Sequence, residues 1–248
     1  MMKWLKPFST TLLLIVSLLS YADNNANTDL APTESRRSKM IRFIASHPIA
    51  AQAIGMESDE STNITSNAIR FARRTGLDNR ANGDGRGTQV NAVRHTLWQA
   101  TIASRFNTET AEEVGNAYEI DPILKEGQLD YNSRYDSDEA VDLRNNRIGR
   151  SIGSERPQSD MKALALAVLA HFHQEGLWMA NPVKENGENG KTVWRISQTK
   201  LSDAEYEAAV NNLGPLNHNG FTDAEQRRYE TESPSEIEQA IQAIRNHK

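Results

Sequence analysis

The chain has 248 residues, of which 38% are hydrophobic and 25% are charged, and its formal net charge is -5. This composition excludes a collagen-like chain, a fully disordered chain and a multi-span membrane protein. With no cysteine, the chain has no disulfide, no thiolate zinc site and no cysteine nucleophile, and its acidic charge disfavours nucleic acid as a partner. Its 14 glycines and 8 prolines are fewer than average usage predicts, which favours long helices over a turn-rich β architecture.

The first 22 residues have the pattern of a secretory signal peptide. Two lysines precede an apolar run over 10–19, which at about 1.5 Å per residue is too short to span a hydrocarbon core of about 30 Å. Ser20 and Ala22 then supply the small residues of a cleavage site. We therefore expect an exported protein, periplasmic or secreted, without stable membrane insertion after cleavage. Residues 23–34 are polar and typical of a flexible leader.

Apolar residues recur at helical spacing through residues 35–180. This pattern predicts an all-α fold, a single orthogonal helical domain. Pro48 should interrupt the first helical segment near His47, and Thr108 is assigned as an N-cap. The predicted helices cover 35–55, 63–75, 88–106, 108–120, 137–155 and 159–176.

Residues 181–248 form a smaller appended part with a different pattern. The sequence ENGENG lies between two short extended runs within 181–197, which is compatible with one short β-hairpin. Short polar helices are predicted over 202–213, 222–229 and 234–247.

The helix predicted over 88–106 carries polar residues where a core helix should be apolar. Asn91, Arg94, His95 and Trp98 follow one stripe at helical spacing, beside a second stripe that is apolar. If this helix is central, Arg94 and His95 are at least half-buried, and a buried charge needs partners.

Two other helices offer such partners. Asp138, Asp142, Asn145 and Asn146 form a polar stripe on the helix over 137–155, and Glu119 lies near the end of the helix over 108–120. Three helices can therefore present side chains to one polar centre.

The polar stripe ends in Gly149 and Gly153. A glycine inside a helix costs about 0.5 to 1 kcal/mol, so two of them indicate that another backbone or a ligand comes close to this helix.

Three motifs in this order carry a family resemblance: N-A-x-R-H-x-x-W at 91–98, A-x-E at 117–119 and D-x-x-N-N-x-x-G-R at 142–150. Together they resemble a bacterial family of unknown function that occurs in secreted and toxin-like proteins. The resemblance covers about residues 41–176 and implies no settled activity. Relatives often carry histidine where this chain has Tyr118, so the resemblance implies no metal ligand at that position.

We interpret His95, Glu119 and Asp142 as the centre of a hydrolytic site. His95 would be a general base or, with the two carboxylates, one ligand of a three-ligand metal cage that holds water. A third interpretation is a satisfied hydrogen-bond and ion-pair network that fixes helix register. No standard metal motif such as H-E-x-x-H is present, so no metal ligand is assigned and the cofactor stays open.

Around this centre, we assign a substrate-binding role to six further residues. Arg94 would bind an anionic group, and Asn145 and Asn146 would orient the substrate. The remaining members are Asn91, Trp98 and Arg150.

The resemblance and the predicted export favour a hydrolase-like enzyme that acts on a cell-envelope or extracellular substrate, with a toxin-effector role. The alternative is a periplasmic binding protein of inhibitor or immunity type. In that case the polar network is structural, and the acidic surface recognises a protein partner.

Overall fold

The structure is a computed structural model of the chain, and it describes residues 34–59, 61–185 and 190–232. The predicted signal peptide, almost all of the predicted leader and the predicted helix over 234–247 lie outside the described residues.

The described residues are mainly helical, as predicted. Within these ranges no helix is both long enough and apolar enough to cross a membrane. The helices are α1 (Arg36–Ser46), α2 (Pro48–Ile54), α3 (Ile64–Arg74), α4 (Gln89–Arg105), α5 (Thr108–Tyr118), α6 (Arg134–Ser154), α7 (Met161–Gln174), α8 (Asp203–Leu213) and α9 (Asp223–Glu232).

Local chemistry explains where these helices begin and end. Pro48 separates α1 from α2, as predicted, because proline is tolerated only in the first turn of a helix. The N-cap of α5 is Asn107 rather than Thr108, since the Asn107 side chain accepts a hydrogen bond from the backbone N–H of Thr110 at 2.7 Å. The same helix ends at Tyr118, two residues earlier than predicted, and Glu119 is extended. This places Glu119 at the end of α5 rather than on its face.

The central helix is α4, which packs against α3, α5, α6 and α7. Leu97, Ala100 and Ile102 on α4 are fully buried in the main hydrophobic core. The longest helix, α6, runs against α4 and starts three residues earlier than predicted, because Ser133 caps it through a hydrogen bond from the Asp136 N–H at 3.1 Å. These two helices carry most of the predicted site.

A small antiparallel sheet covers part of α6. Its strands are β1 (Asp130–Tyr131), β2 (Leu177–Lys184) and β3 (Thr192–Thr199), in the order β1-β3-β2. The β2–β3 pair confirms the predicted hairpin, with strands that are longer than expected. In this pair Ala180 lies opposite Ile196, and both are buried in a second small core with Val141 of α6. The sheet therefore supports α6 on the side of β2.

Candidate functional site

One amide on α4 ties together two carboxylates on α6. Nδ2 of Asn91 donates hydrogen bonds to Oδ1 of Asp142 at 2.8 Å and to Oδ1 of Asp138 at 3.2 Å. One turn further along α4, Nε2 of His95 lies 3.3 Å from Oδ2 of Asp142. Asn91 and His95 are four residues apart on α4, so both face α6, and each of them contacts Asp142.

Glu119 reaches the same place from the end of α5. Its carboxylate, a nitrogen of His95 and a carboxylate oxygen of Asp142 lie within 4.8 Å of one another. We call these three residues the polar centre. Lys39 on α1 fixes the backbone there, because its Nζ donates to the carbonyl oxygens of Glu119 and Ile120 at 2.9 and 3.2 Å.

The Glu119 side chain is largely buried, and the positive charges of Arg36 and Arg94 act on its carboxylate. The residue is 6% exposed, and no residue in the described ranges donates a hydrogen bond to its carboxylate. A buried carboxylate without a donor is costly. The described residues therefore leave hydrogen-bond acceptors of the polar centre without donors.

Arg94 lies against the polar centre and is half-buried. Its Nη2 is 2.5 Å from Oδ1 of Asn91 and 2.8 Å from Nε2 of His95. Across the described part of the chain, Nε and Nη1 of Arg94 have no hydrogen-bond acceptor, and the guanidinium forms no close ion pair. Arg94 therefore keeps donors for a further anionic group.

Burial and neighbouring charges shift the pKa of every member of the polar centre. Burial, followed by the charge of Arg94, holds the pKa of His95 well below its usual value. Burial, followed by the charge of Glu139, raises the pKa of Glu119 to about 7. Burial, with repulsion from Asp138 and Glu119, raises the pKa of Asp142 well above its usual value. The imidazole is therefore neutral at pH 7, and the carboxyl groups resist being charged together.

Asn146 on α6 lies beside the imidazole, where its amide favours the protonated ring. Nδ1 of His95 and Oδ1 of Asn146 are both buried and have no hydrogen-bond partner among the described residues. Because Nη2 of Arg94 can only donate, Nε2 of His95 accepts its hydrogen bond, and we assign the ring proton to Nδ1.

Three predicted substrate-binding residues have partners within the protein. Asn145 binds the backbone of Trp178 on β2 in both directions, at 2.8 and 2.9 Å. Trp98 donates from Nε1 to Oγ1 of Thr65 at 3.1 Å. Arg150 donates to Oε1 of Gln99 at 3.3 Å, so it contacts α4 one turn beyond the polar centre. Their substrate roles remain predictions.

Asp138 belongs to this network, although the sequence assigned it no site role. Its Oδ1 also accepts from the backbone N–H of Gly87 at 2.9 Å, and its Oδ2 lies 3.8 Å from Nε of Arg86. In the sequence, the spacing of four residues between Asp138 and Asp142 indicated that the two carboxylates share one face of the helix. Lys39 carried no comparable signal, because it is 80 residues away from Glu119 in the sequence.

Two cavities lie elsewhere on the surface of α6. One of about 370 Å³ separates α6 from α7 and is lined by Arg147, Ser151 and His171, among others. The other, of about 140 Å³, is lined by residues that include Tyr131 and Glu139. Neither touches the polar centre, which reaches solvent partly through the His95 side chain, 16% of which is exposed.

The fold and site define a mainly helical protein with a buried centre of one histidine and two carboxyl groups. Residues 43–176 match the family described as a domain of unknown function, DUF6973. Because this match covers more than half of the chain, the chain belongs to that family, and the resemblance inferred from the three motifs is confirmed at that level. Among curated proteins and among solved structures, nothing matches the chain.

Proposed function

We propose that this protein is a hydrolase-like enzyme whose catalytic centre is formed by His95, Glu119 and Asp142. The observation that carries the proposal is the meeting of these side chains within 4.8 Å, although they come from three separate elements. A neutral imidazole and two carboxyl groups of shifted pKa are the groups that enzymes use to activate water.

The unsatisfied groups favour catalysis over a purely structural network. A network that exists for stability gives each buried polar group a partner, because an unpaired one costs about 1 to 3 kcal/mol. The Glu119 carboxylate has no donor among the described residues, and it lies close to a second carboxylate. Such an arrangement lowers stability and is typical of a site kept for its chemistry.

Arg94 supports an anionic substrate. A guanidinium binds carboxylates and phosphates through pairs of donors, and Arg94 retains two nitrogens without acceptors in the described ranges. In the proposed reaction, Arg94 holds the anionic group while water is activated beside His95.

The signal-peptide pattern of the first 22 residues supports an exported enzyme that acts on a cell-envelope or extracellular substrate. The resemblance to toxin-like proteins supports an effector role in that compartment.

A binding protein of inhibitor or immunity type is the second candidate. The observation that favours it is a group of exposed apolar side chains close to one another in the sequence: Ile120 and Ile123 are 65% and 67% exposed, and Tyr135 is 61% exposed. Exposed apolar residues of this kind occur at surfaces that bind other proteins.

His95→Ala tests the proposed enzyme. We expect kcat/KM on a panel of chromogenic phosphoesters, carboxyl esters and glycosides to fall at least about 100-fold, because the variant loses a group that acts directly in the reaction. The thermal midpoint should stay within a few degrees, since Nδ1 of His95 has no hydrogen-bond partner among the described residues.

His173→Ala is the matched control. His173 pairs with Asp203 at 2.8 Å, outside the polar centre, so its loss should leave kcat/KM unchanged. Unchanged turnover in His95→Ala, or unfolding of that variant, would instead assign His95 a structural role.

A further inference from the structure

We propose that the polar centre binds one first-row divalent cation, with Nε2 of His95 and carboxylate oxygens of Glu119 and Asp142 as its ligands. This proposal rests on the proposed function, because the cation would activate water at the same three residues. The geometry that supports the cation does not depend on any measured activity.

The spacing of the side chains matches two ligands of one metal ion. Cation-to-ligand bonds of about 2.1 Å at a tetrahedral angle place neighbouring ligand atoms about 3.4 Å apart. The observed separation between Nε2 of His95 and Oδ2 of Asp142 is 3.3 Å. All three ligand atoms lie within 4.8 Å of one another, so a contraction of these side chains brings all three to one cation.

Glu119 supplies a second, independent indication. Its side chain is more than nine-tenths buried, its carboxylate accepts no hydrogen bond from the described residues, and it is directed to His95 and Asp142. The described residues thus place this carboxylate near the charges of Arg36 and Arg94 but give it no hydrogen-bond donor. A cation at this point is the missing partner.

The local charge also favours a cation. Glu119 and Asp142 carry two negative charges when ionised, and Glu139 adds a third, against the positive charges of Arg36 and Arg94. The neighbouring Asp138 has its own partners in Arg86 and the N–H of Gly87. One divalent cation reverses the excess of negative charge and allows both carboxylates to ionise.

The donor atoms indicate which cation is suitable. Imidazole suits zinc, iron and nickel, whereas sites for magnesium and calcium consist of oxygen ligands alone. Three protein ligands also leave a position for water, as in catalytic zinc sites. Zn²⁺, which suits the imidazole, and Mn²⁺, which suits the two carboxylates, are therefore the probes for this mixed nitrogen and oxygen set.

Arg94 competes with the cation. Its Nη2 lies 2.8 Å from Nε2 of His95, so it occupies the lone pair that the cation needs. Asn91, which Arg94 also contacts at 2.5 Å, keeps the guanidinium close once it moves away from His95. Removal of Arg94 should therefore strengthen cation binding, an effect that a purely structural Arg94 would not produce.

The test is calorimetric titration of Zn²⁺, and separately Mn²⁺, into the full chain after it has been stripped with a chelator. We expect one site per chain. Glu119→Gln should lower the affinity by about 100-fold or more, beyond the loss typical of an outer-shell change. Arg94→Met should raise the affinity severalfold.

Glu109→Gln is the matched control, since it removes the same charge from the exposed N-terminal turn of α5 and should bind as the unaltered chain does. Circular dichroism shows whether each variant is folded, and Asp142→Asn takes the place of Glu119→Gln if that variant unfolds. No binding at one equivalent, or equal affinities for Glu119→Gln and Glu109→Gln, would overturn the proposal.

The outcomes for the cation and for the enzyme are separable. Hydrolysis by chelator-stripped protein that binds no Zn²⁺ or Mn²⁺ would refute the cation site and leave acid–base catalysis by His95. Binding at one equivalent without hydrolysis of any substrate in the panel would confirm the cation site and contradict the proposed enzyme.

Discussion

Alanine at Gly149 or at Gly153 is expected to destabilise the fold by about 3 kcal/mol, the upper range for overpacking in a core. A Cβ at Gly149 would lie 2.9 Å from Cβ of Gln99 and closer still to the carbonyl oxygen of Thr96. A Cβ at Gly153 would lie 2.9 Å from the carbonyl carbon of Ala100 and closer still to its oxygen. Backbone atoms of α4 would have to move, because a close-packed interior has no room for the added Cβ atoms. Urea unfolding of each variant measures the loss.

Gly127→Ala is the control for both substitutions. A Cβ at Gly127 has no atom within 4 Å, so this change should alter the free energy of unfolding by less than about 0.5 kcal/mol. Movement of α4 away from α6 also separates His95 from Asp142, so hydrolytic activity should fall with stability in the two core variants. Equal stability of Gly149→Ala and Gly127→Ala would contradict this description of the α4–α6 contact.

Arg144→Met is expected to cost about 3 kcal/mol and to loosen the segment that follows Glu119. The Arg144 side chain is 1% exposed, and its guanidinium donates to the carbonyl oxygens of Ala140, Lys125 and Glu126 at 3.0, 2.8 and 3.2 Å. Methionine fills the volume, but the carbonyl of Glu126 then has no donor among the described residues, at about 1 to 3 kcal/mol for a buried acceptor. The carbonyls of Ala140 and Lys125 each lose the charged donor and keep a backbone N–H, that of Arg144 within the helix and that of Gln128. Urea unfolding gives the stability loss, and hydrogen exchange of residues 120–131 reports the loosening.

Arg147→Met makes the same chemical change one turn away at the surface. Arg147 is 55% exposed and pairs with Glu126 at 2.5 Å, and water screens such an exposed pair, so its loss should have little effect on stability. If Arg144→Met were no less stable than Arg147→Met, the carbonyl contacts of Arg144 would have no structural importance.

Helical periodicity was enough to predict which side chains of α4 and α6 lie together. A period of 3.6 residues fixes which side chains share a face, so Asn91 and His95 on α4 and Asp142 on α6 could be grouped before their contacts were known. Gly149 and Gly153 indicated a close approach to α6, and the structure identifies the approaching group as the backbone of α4.

Other features depended on contacts between distant parts of the chain. Asn145 shares a stripe with Asp142, yet its amide binds β2, a strand whose position on α6 no local pattern encodes. Lys39 fixes the backbone at Glu119 from 80 residues away. At the start of α5, Asn107 and Thr108 are both good caps by residue type, and the extended backbone of Asn107 decides between them.

We propose that the polar centre serves chemistry rather than the fold. The most direct test is the free energy of unfolding of Glu119→Gln, measured in chelator-treated protein. Glutamine keeps the shape of Glu119, removes a charge that burial and the nearby carboxylates disfavour, and loses no hydrogen bond formed by the described residues. We predict that this variant is at least as stable as the unaltered chain in urea at pH 7. A loss of more than about 2 kcal/mol, the size expected when a needed buried partner is removed, would contradict the claim and assign the polar centre to the fold.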